Sequence, residues 1–127
     1  MTIARLNLDG SLDNSFDADG KLIIPFGQRQ AYTYDVEIQP DGKVVVGGGI
    51  QDSRQDPNPN FLLVRRNSDG SPDLSFGQSG TVETSISATS DYLRSLALQT
   101  DGKIIAAGHA ASPTGRDDFA LVRYLGQ

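Results

Sequence analysis

The stretch NLDGSLDNSF at residues 7–16 returns sixty positions later as NSDGSPDLSF at residues 67–76. A second stretch, QPDGKV at 39–44, returns in the same register as QTDGKI at 99–104. Self-similarity at one fixed spacing indicates a repeat architecture, in which each repeat is one supersecondary unit. The repeat therefore determines the expected fold, while it carries little information about chemistry.

The repeat also sets the expected organisation of the chain. FALVR at 119–123 matches FLLVR at 61–65, so a third copy opens near the end of the sequence. We interpret residues 1–127 as a single β-propeller segment. Its repeats cover about 2–60 and 61–118, and a third copy starts at 119–127.

Four strands can be assigned to each repeat. The most complete set is predicted at 32–39, 43–48, 61–67 and 80–86. Asp41-Gly42 lies between two β-rich runs and predicts a hairpin turn, because glycine supplies a positive φ without steric cost. Val44 to Val46 are apolar at consecutive positions, which is typical of a strand covered on both faces. The following Gly47-Gly48-Gly49 indicates close approach by another backbone.

A four-stranded antiparallel unit that is buried on both faces and repeated in tandem is typical of a propeller blade. The predicted fold class is all-β: two tandem four-stranded antiparallel propeller blades, with partial blades at the termini, completed by oligomerisation. We expect at least eight strands and almost no helix. A β-solenoid is the alternative, although its coils are usually much shorter than sixty residues. A β-sandwich would need no regular repeat.

Composition argues against several classes of function. The formal net charge is −5 and the 11 Lys and Arg residues are scattered, so we expect no nucleic-acid partner. The apolar runs are too short to span a bilayer, so we expect no membrane insertion. The N-terminal residues show no secretory signal. Without cysteine, and with one histidine, the chain lacks material for a disulfide, a thiolate metal site or a multi-histidine zinc site.

Few residues suggest catalysis or metal binding. Asp13, Asp17 and Asp19 superficially resemble a calcium loop, but Ser15 stands where the first Asp of that motif belongs, which favours an acidic turn. His109, the single histidine, is interpreted as a surface or packing residue. No Gly-x-Ser-x-Gly nucleophile motif occurs. We therefore predict no catalytic residue, no metal site, no cofactor and no enzymatic activity.

The run from Phe61 through the Asp-Gly-Ser motif to Phe76-Gly77, continuing through the second Asp-Gly-Lys turn to Gly108, resembles the bacterial delta-60 repeat. The resemblance covers essentially the whole chain and departs at Asp17, where the second copy has Gly77. It implies a propeller-type fold and a place in large, often secreted or surface-exposed proteins. It carries no general catalytic activity, and the compartment stays undetermined.

Alternate connections of an antiparallel blade lie on opposite rims. The Asp-Gly hairpins and the Asp-Gly-Ser loops at 9–20 and 69–80 share one rim, which we call the scaffold rim because both repeats keep it nearly unchanged. We expect Asp9 and Asp69 to accept backbone hydrogen bonds there, and the glycine after each to have a positive φ. Phe16 and Phe76 are interpreted as core residues.

The opposite rim, called the variable rim, differs between the repeats. Its connections at 27–31 and 51–60 differ in length and charge from those at 87–91 and 110–118. Loops of this kind often hold binding function. The candidate ligand-binding residues of this rim are Arg29, Asp52, Arg54, Arg116 and Asp117.

Three functional classes follow, of which a non-enzymatic structural or interaction module is favoured. A ligand-binding propeller, for example for carbohydrate, is the alternative, and an enzyme is the third. Propellers need about four to eight blades to close. We therefore expect a homo-oligomer in which the fourth strand at 20–26 of one copy completes the sheet at 92–125 of the next. A ring is expected, with a trimer favoured and a filament as its open form. Further repeats of a longer protein are the other way to close the ring.

Overall fold

A computed structural model describes residues 1–53, 55 and 58–126. The described residues form nine β-strands and no helix. The strands are β1 (Thr2–Ala4), β2 (Lys21–Ile23), β3 (Gln30–Ile38), β4 (Val44–Gln51), β5 (Asn60–Arg66), β6 (Thr81–Thr84), β7 (Asp91–Leu98), β8 (Ile104–Ala111) and β9 (Asp117–Tyr124). The prediction of an all-β chain with at least eight strands is confirmed.

The strands form three antiparallel sheets in which chain neighbours pair. The first blade contains β1 and β2, the central blade β3 to β6, and the third blade β7 to β9. A single chain therefore holds one complete four-stranded blade, not two, and the other five strands form partial blades on either side. The first blade has its third and fourth strands, and the third blade has its first three.

The hairpins form where the Asp-Gly pairs predicted them. Gly42 and Gly102 have φ values of 84° and 82°, which a glycine adopts without a Cβ clash. The Gln39 N–H donates to the Lys43 carbonyl at 2.8 Å, and Gln99 donates to Lys103 at the same distance. These turns fix the register of β3 on β4 and of β7 on β8.

Two predicted strand boundaries need correction. β4 continues through the triple glycine to Gln51, because Ile50 still pairs with Asn60 of β5. Glycine is required inside this strand, since a Cβ at Gly48 would stand 1.8 Å from the Tyr32 carbonyl oxygen. β6 is shorter than predicted, because the Ile86 N–H leaves the ladder and donates to Asp91 Oδ2 at 2.7 Å.

The core lies between the blades. One cluster joins the central and third blades and includes Val45, Phe61, Leu63, Leu93 and Leu96. Two further clusters join the central blade to the first blade, with Ile50, Leu62 and Val64 as buried members of one of them. Every residue of β4 from Val44 to Ile50 is buried, so this strand is covered on both faces as its apolar run predicted.

The Asp-Gly-Ser loops carry the predicted turn chemistry. Asp9 Oδ1 accepts the Ser11 N–H at 2.9 Å, and Asp69 Oδ1 accepts the Ser71 N–H at 2.9 Å. The intervening Gly10 and Gly70 have φ values of 86° and 92°. Hydrogen bonds from the serine hydroxyls, together with these backbone bonds, lower the pKa of both carboxyls. Both predictions for the loops are confirmed.

The departure of the first repeat at Asp17 has a backbone explanation. Asp17 has a φ of 49° where its counterpart Gly77 has a φ of 55°. Aspartate tolerates this left-handed region better than most residues, so the turn survives the substitution. The Asp17 N–H donates to the Asp69 carbonyl at 2.9 Å and thereby joins the loops of two neighbouring blades.

Candidate functional site

The structure brings two of the five variable-rim candidates together. Arg29 Nε donates to Asp52 Oδ1 at 2.8 Å. The two Nη atoms of Arg29 each donate to one oxygen of Glu83, also at 2.8 Å. Asn60 Nδ2 donates to Glu83 Oε1 at 2.7 Å. This arrangement joins the loop before β3, the loop after β4 and strand β6.

The charges in this cluster satisfy one another, because Arg29 forms ion pairs with both Asp52 and Glu83. The hydrogen bonds with Glu83 raise the pKa of Arg29, and those from Arg29 lower the pKa of Glu83. A guanidinium that engages two carboxylates has most of its donors committed within the chain. Glu83 was missed by the sequence reasoning because it lies in a strand, and only the sheet register places it beside the rim loops.

The remaining candidates lie elsewhere or outside the described residues. Asp117 begins β9 of the third blade, and Arg116 lies in the turn just before it, where its carbonyl accepts the Ser112 N–H at 2.8 Å. Within the part of the chain that the structure describes, no hydrogen bond or ion pair joins them to Arg29 or Asp52. Arg54 lies outside the described residues.

His109 packs against an aromatic ring, in agreement with its interpretation as a packing residue. Its ring stacks on Tyr92 with centroids 4.9 Å apart. Its Nε2 lies 3.5 Å from Asp117 Oδ2, at the edge of a shallow cleft of about 380 Å³ that Phe119 and Leu121 also line. Among the described residues, no group of three or more His, Asp or Glu side chains is placed to hold a metal ion. None of them forms an apolar helix of membrane-spanning length.

The most unusual surface lies on the outward side of the third blade. Phe119 and Leu121 are 102% and 71% exposed, although both lie within a β-strand. Their counterparts in the central blade, Phe61 and Leu63, are both 0% exposed. The third blade covers those counterparts through Leu93 and Leu96. We call the outward side formed by Ile105, Ala107, His109, Phe119 and Leu121 the open face.

A second uncovered surface lies at the other end of the molecule. Val36 and Ile38 of β3 are 54% and 59% exposed, whereas the counterpart of Val36 in the third blade, Leu96, is 5% exposed. A groove of about 350 Å³ separates this part of β3 from β1. We call the side formed by Thr33, Val36 and Ile38 the β3 face.

An arginine at the end of the third strand of the central blade, and its counterpart just after β1 in the first blade, were also missed by the sequence reasoning. Arg65 Nε lies 2.8 Å from Asp73 Oδ2, and its guanidinium stands 4.4 Å from the centre of the Phe76 ring. Arg5 repeats this arrangement with Asp13 at 2.8 Å and with Phe16 at 4.8 Å. The available signal was the recurrence of Arg at the same position, eight residues before the Asp. We call this unit the arginine clamp.

A family model matches residues 2–16, 39–76 and 99–126, and its description is a domain of unknown function (DUF5122) beta-propeller. The chain belongs to the DUF5122 beta-propeller family. No curated protein and no solved structure matches it.

The propeller fold of the DUF5122 family explains what the open face and the β3 face have in common. In a propeller each blade packs its sheet against a neighbour on both sides. The central blade of this DUF5122 chain packs against the third blade on one side, but on the other side the two-stranded first blade covers only part of it. The open face and the β3 face are the two places where the same packing is missing.

Proposed function

We propose that this chain is a non-enzymatic structural and interaction module of the delta-60 propeller type, which associates head to tail with further copies of itself. The observation that carries the proposal is the exposure of Phe119 and Leu121, whose counterparts Phe61 and Leu63 are completely buried. Contiguous apolar surface of this kind marks protein contact sites. The occupant we propose is the β3 face of a second copy.

The packing inside the chain supports the proposed contact between these two faces. The third blade presents Leu93 and Leu96 to the central blade, and their counterparts on the β3 face are Thr33 and Val36. The open face is equivalent to the surface of the central blade that receives those leucines. A second copy would therefore repeat a contact that the chain already makes once.

The sizes of the opposing residues compensate. A Cβ at Gly47 would lie 2.9 Å from atoms of both Leu93 and Leu96, so large side chains there require glycine opposite them. On the open face, Ala107 replaces that glycine. The residues proposed to meet Ala107 are the smaller Thr33 and Val36 of the next copy. Because interiors are close-packed, an added methyl group fits where its opposing side chains have become smaller.

The partial blades complement each other in the same way. The third blade has a free edge at β9, and an unpaired edge of this kind favours pairing with another strand. We propose that the segment 20–26 of the next copy, which contains β2, supplies the fourth strand. The contact is heterologous, so it closes into a ring or extends into a filament. Rings of two, three or four copies would hold about four, six or eight blades, and we propose the trimer.

The shifted pKa values of two scaffold-rim carboxyls have causes within their own turns. Hydrogen bonds from Ser15 lower the pKa of Asp13, and hydrogen bonding with Lys43 lowers that of Asp41. Both carboxyls belong to turns of the scaffold rim. Their perturbation has a structural cause, whereas catalytic carboxyls are tuned by their position in a cleft.

Light scattering on the 127-residue chain tests the proposal. We expect a multiple of 13.6 kDa at micromolar concentration, with three copies as the proposed ring. Leu121→Lys places a charge on the open face and should shift the mass to one copy. Leu74→Lys is the matched control, because Leu74 is 74% exposed in a scaffold-rim loop, and it should leave the mass unchanged. A well-folded monomer of the unmodified chain would refute the proposal.

Mixing two variants tests the head-to-tail geometry. Leu121→Lys leaves the β3 face intact, and Val36→Lys leaves the open face intact. Each variant alone should be monomeric, and an equimolar mixture should form a species of two copies and nothing larger. If Val36→Lys assembled as the unmodified chain does, the β3 face would not be the partner surface.

A further inference from the structure

Arg123 occupies the third-strand position at which Arg5 and Arg65 form arginine clamps. Its side chain is exposed and makes no ion pair with the described part of the chain. Arg5, in contrast, donates to Asp13 Oδ2 at 2.8 Å and to Ser15 Oγ at 2.7 Å, and it also donates to the Ser68 carbonyl in the central blade. Among the described residues, Arg123 therefore has the position of a clamp arginine without the carboxylate contact of one.

Strand β1, which ends one residue before Arg5, and strand β9, which contains Arg123, are held to different extents. β1 has three residues, all of which pair with β2, and two of the three are exposed. β9 has eight residues, and all eight pair with β8. Since strand stability comes from cross-strand pairs and from packing, β1 is the more easily displaced of the two.

We propose that β9 of one copy takes the place of β1 in the next copy and that its Arg123 binds Asp13, Ser15 and Phe16 of that copy. This inference rests on the proposed head-to-tail association and specifies which strand is exchanged. β9 then lies between β8 of its own copy and β2 of the next. Both β1 and β9 are third strands, and the blade formed by the two copies has room for only one of them. In the exchange that strand is β9, and β1 leaves the sheet.

The repeat fixes the register of the exchanged strand. Ala4 pairs with Lys21 in the first blade, and Val64, its counterpart, pairs with Thr81 in the central blade. Val122 holds the same position in the third copy, so it should lie opposite Lys21 of the next copy. One residue earlier, Leu121 takes the place of Ile3 in the cluster with Ile50 and Leu62.

The exchange buries more apolar surface than it releases. Phe119 takes the place of Met1, and it changes from a fully exposed ring to one that packs on the neighbouring blade. The clamp contacts of Arg5 are replaced by the same contacts of Arg123, so the number of charge-assisted hydrogen bonds is unchanged. The net gain comes from covering the open face and pairing the β9 edge.

A designed disulfide tests the register. The chain has no cysteine, so Lys21→Cys with Val122→Cys introduces the only pair. The central blade lies between β2 and β9 of one chain, and a disulfide needs Cα atoms about 4.4–6.8 Å apart. Any bond must therefore join two copies. We expect multimers on a non-reducing gel, while Lys21→Cys with Asp101→Cys, a hairpin control, should remain monomeric on the gel.

Arginine variants test the exchange with effects of opposite sign. Arg123→Ala should weaken association about tenfold, because it removes charged hydrogen bonds between copies. Arg5→Ala should strengthen association, because it loosens the competing β1. If Arg5 acts only within its own blade and β1 stays in place, Arg5→Ala would weaken or leave unchanged the association, and Arg123→Ala would have no effect.

The outcomes separate this inference from the proposed function. A monomeric unmodified chain refutes both. A second set of results would support the head-to-tail contact and overturn the strand exchange. In it, the unmodified chain is an oligomer and Leu121→Lys makes it monomeric. Arg123→Ala leaves the association unchanged, and the variant with Lys21→Cys and Val122→Cys forms no disulfide.

Discussion

Replacing Phe76 by alanine probes the part of the blade on which the arginine clamp depends. Phe76 is buried at the base of the Asp-Gly-Ser loop, where it belongs to the cluster between the central and third blades. Its ring faces the Arg65 guanidinium at 4.4 Å, and Arg65 is itself completely buried. The substitution therefore leaves a cavity and also removes the surface on which a buried cation rests.

The expected loss of stability follows from these contacts. Full burial of a phenylalanine side chain contributes roughly 1.5–3 kcal/mol. A desolvated guanidinium over the ring adds about 0.5–2 kcal/mol. The cavity brings the total into the range of about 3–5 kcal/mol that is typical of buried Phe→Ala substitutions. For a chain of this length, this corresponds to a melting temperature lower by roughly 10–20 °C.

Far-UV circular dichroism, with heat and with urea, measures this loss. The Phe76→Ala variant and its control should both also carry Leu121→Lys, so that association does not contribute to the apparent stability. Leu74→Ala is the control, because Leu74 lies two positions earlier in the same loop and is exposed. It should change stability by less than about 0.5 kcal/mol. Equal unfolding midpoints for the two variants would show that the ring is not a core residue and would refute the clamp.

Three further measurements test the scaffold and the variable rim. Gly70→Ala should destabilise more than Gly10→Ala in chemical denaturation, because both strain a positive φ but only a Cβ at Gly70 meets Asp17, at 3.1 Å; equal effects would contradict this. Hydrogen bonds from Ser11 and Ser71 lower the pKa of Asp9 and Asp69 in the folded chain. The ionised carboxylates therefore stabilise the fold above the unfolded-state pKa of about 3.9, and this stabilisation is lost as the pH falls through the lower folded-state pKa. Melting temperatures should be level between about pH 5 and 7 and fall below about pH 4; a constant melting temperature to pH 2 would argue against these bonds. A glycan array should show no specific binding, and a reproducible hit would favour the carbohydrate-binding alternative.

The elements that the sequence could predict are those with local chemistry. Asp9-Gly10-Ser11 contains both its turn and the carboxylate that bonds it, so residues near in sequence determine the loop. The Asp-Gly hairpins are local in the same sense. The apolar run at Val44 to Val46 predicted two covered faces without revealing which residues cover them, because that information lies in other strands.

What the sequence could not predict depends on contacts between distant residues. The end of β4 depends on the pairing of Ile50 with Asn60 and not on the glycines that appeared to end the strand. The partnership of Arg29 with Glu83 joins positions 54 apart, and only the fold brings them together. The prediction for the variable rim grouped residues by loop, whereas the structure pairs Arg29 with Asp52 and places Arg116 and Asp117 at the third blade.

The scaffold rim and the variable rim differ in how far their contacts recur from one repeat to the next. On the scaffold rim, Asp9 and Asp69 bond their own turns in the same way in both repeats, and the backbone bond from Asp17 to Asp69 links consecutive loops. On the variable rim, the ion pair of Arg29 with Glu83 occurs once, because the counterpart of Glu83 in the first repeat is Ile23. A change on that rim therefore costs one contact and leaves the blade intact. The association proposed above would use the faces, where Phe119 and Leu121 are the exposed counterparts of the buried Phe61 and Leu63, so the variable rim could diverge without disturbing it.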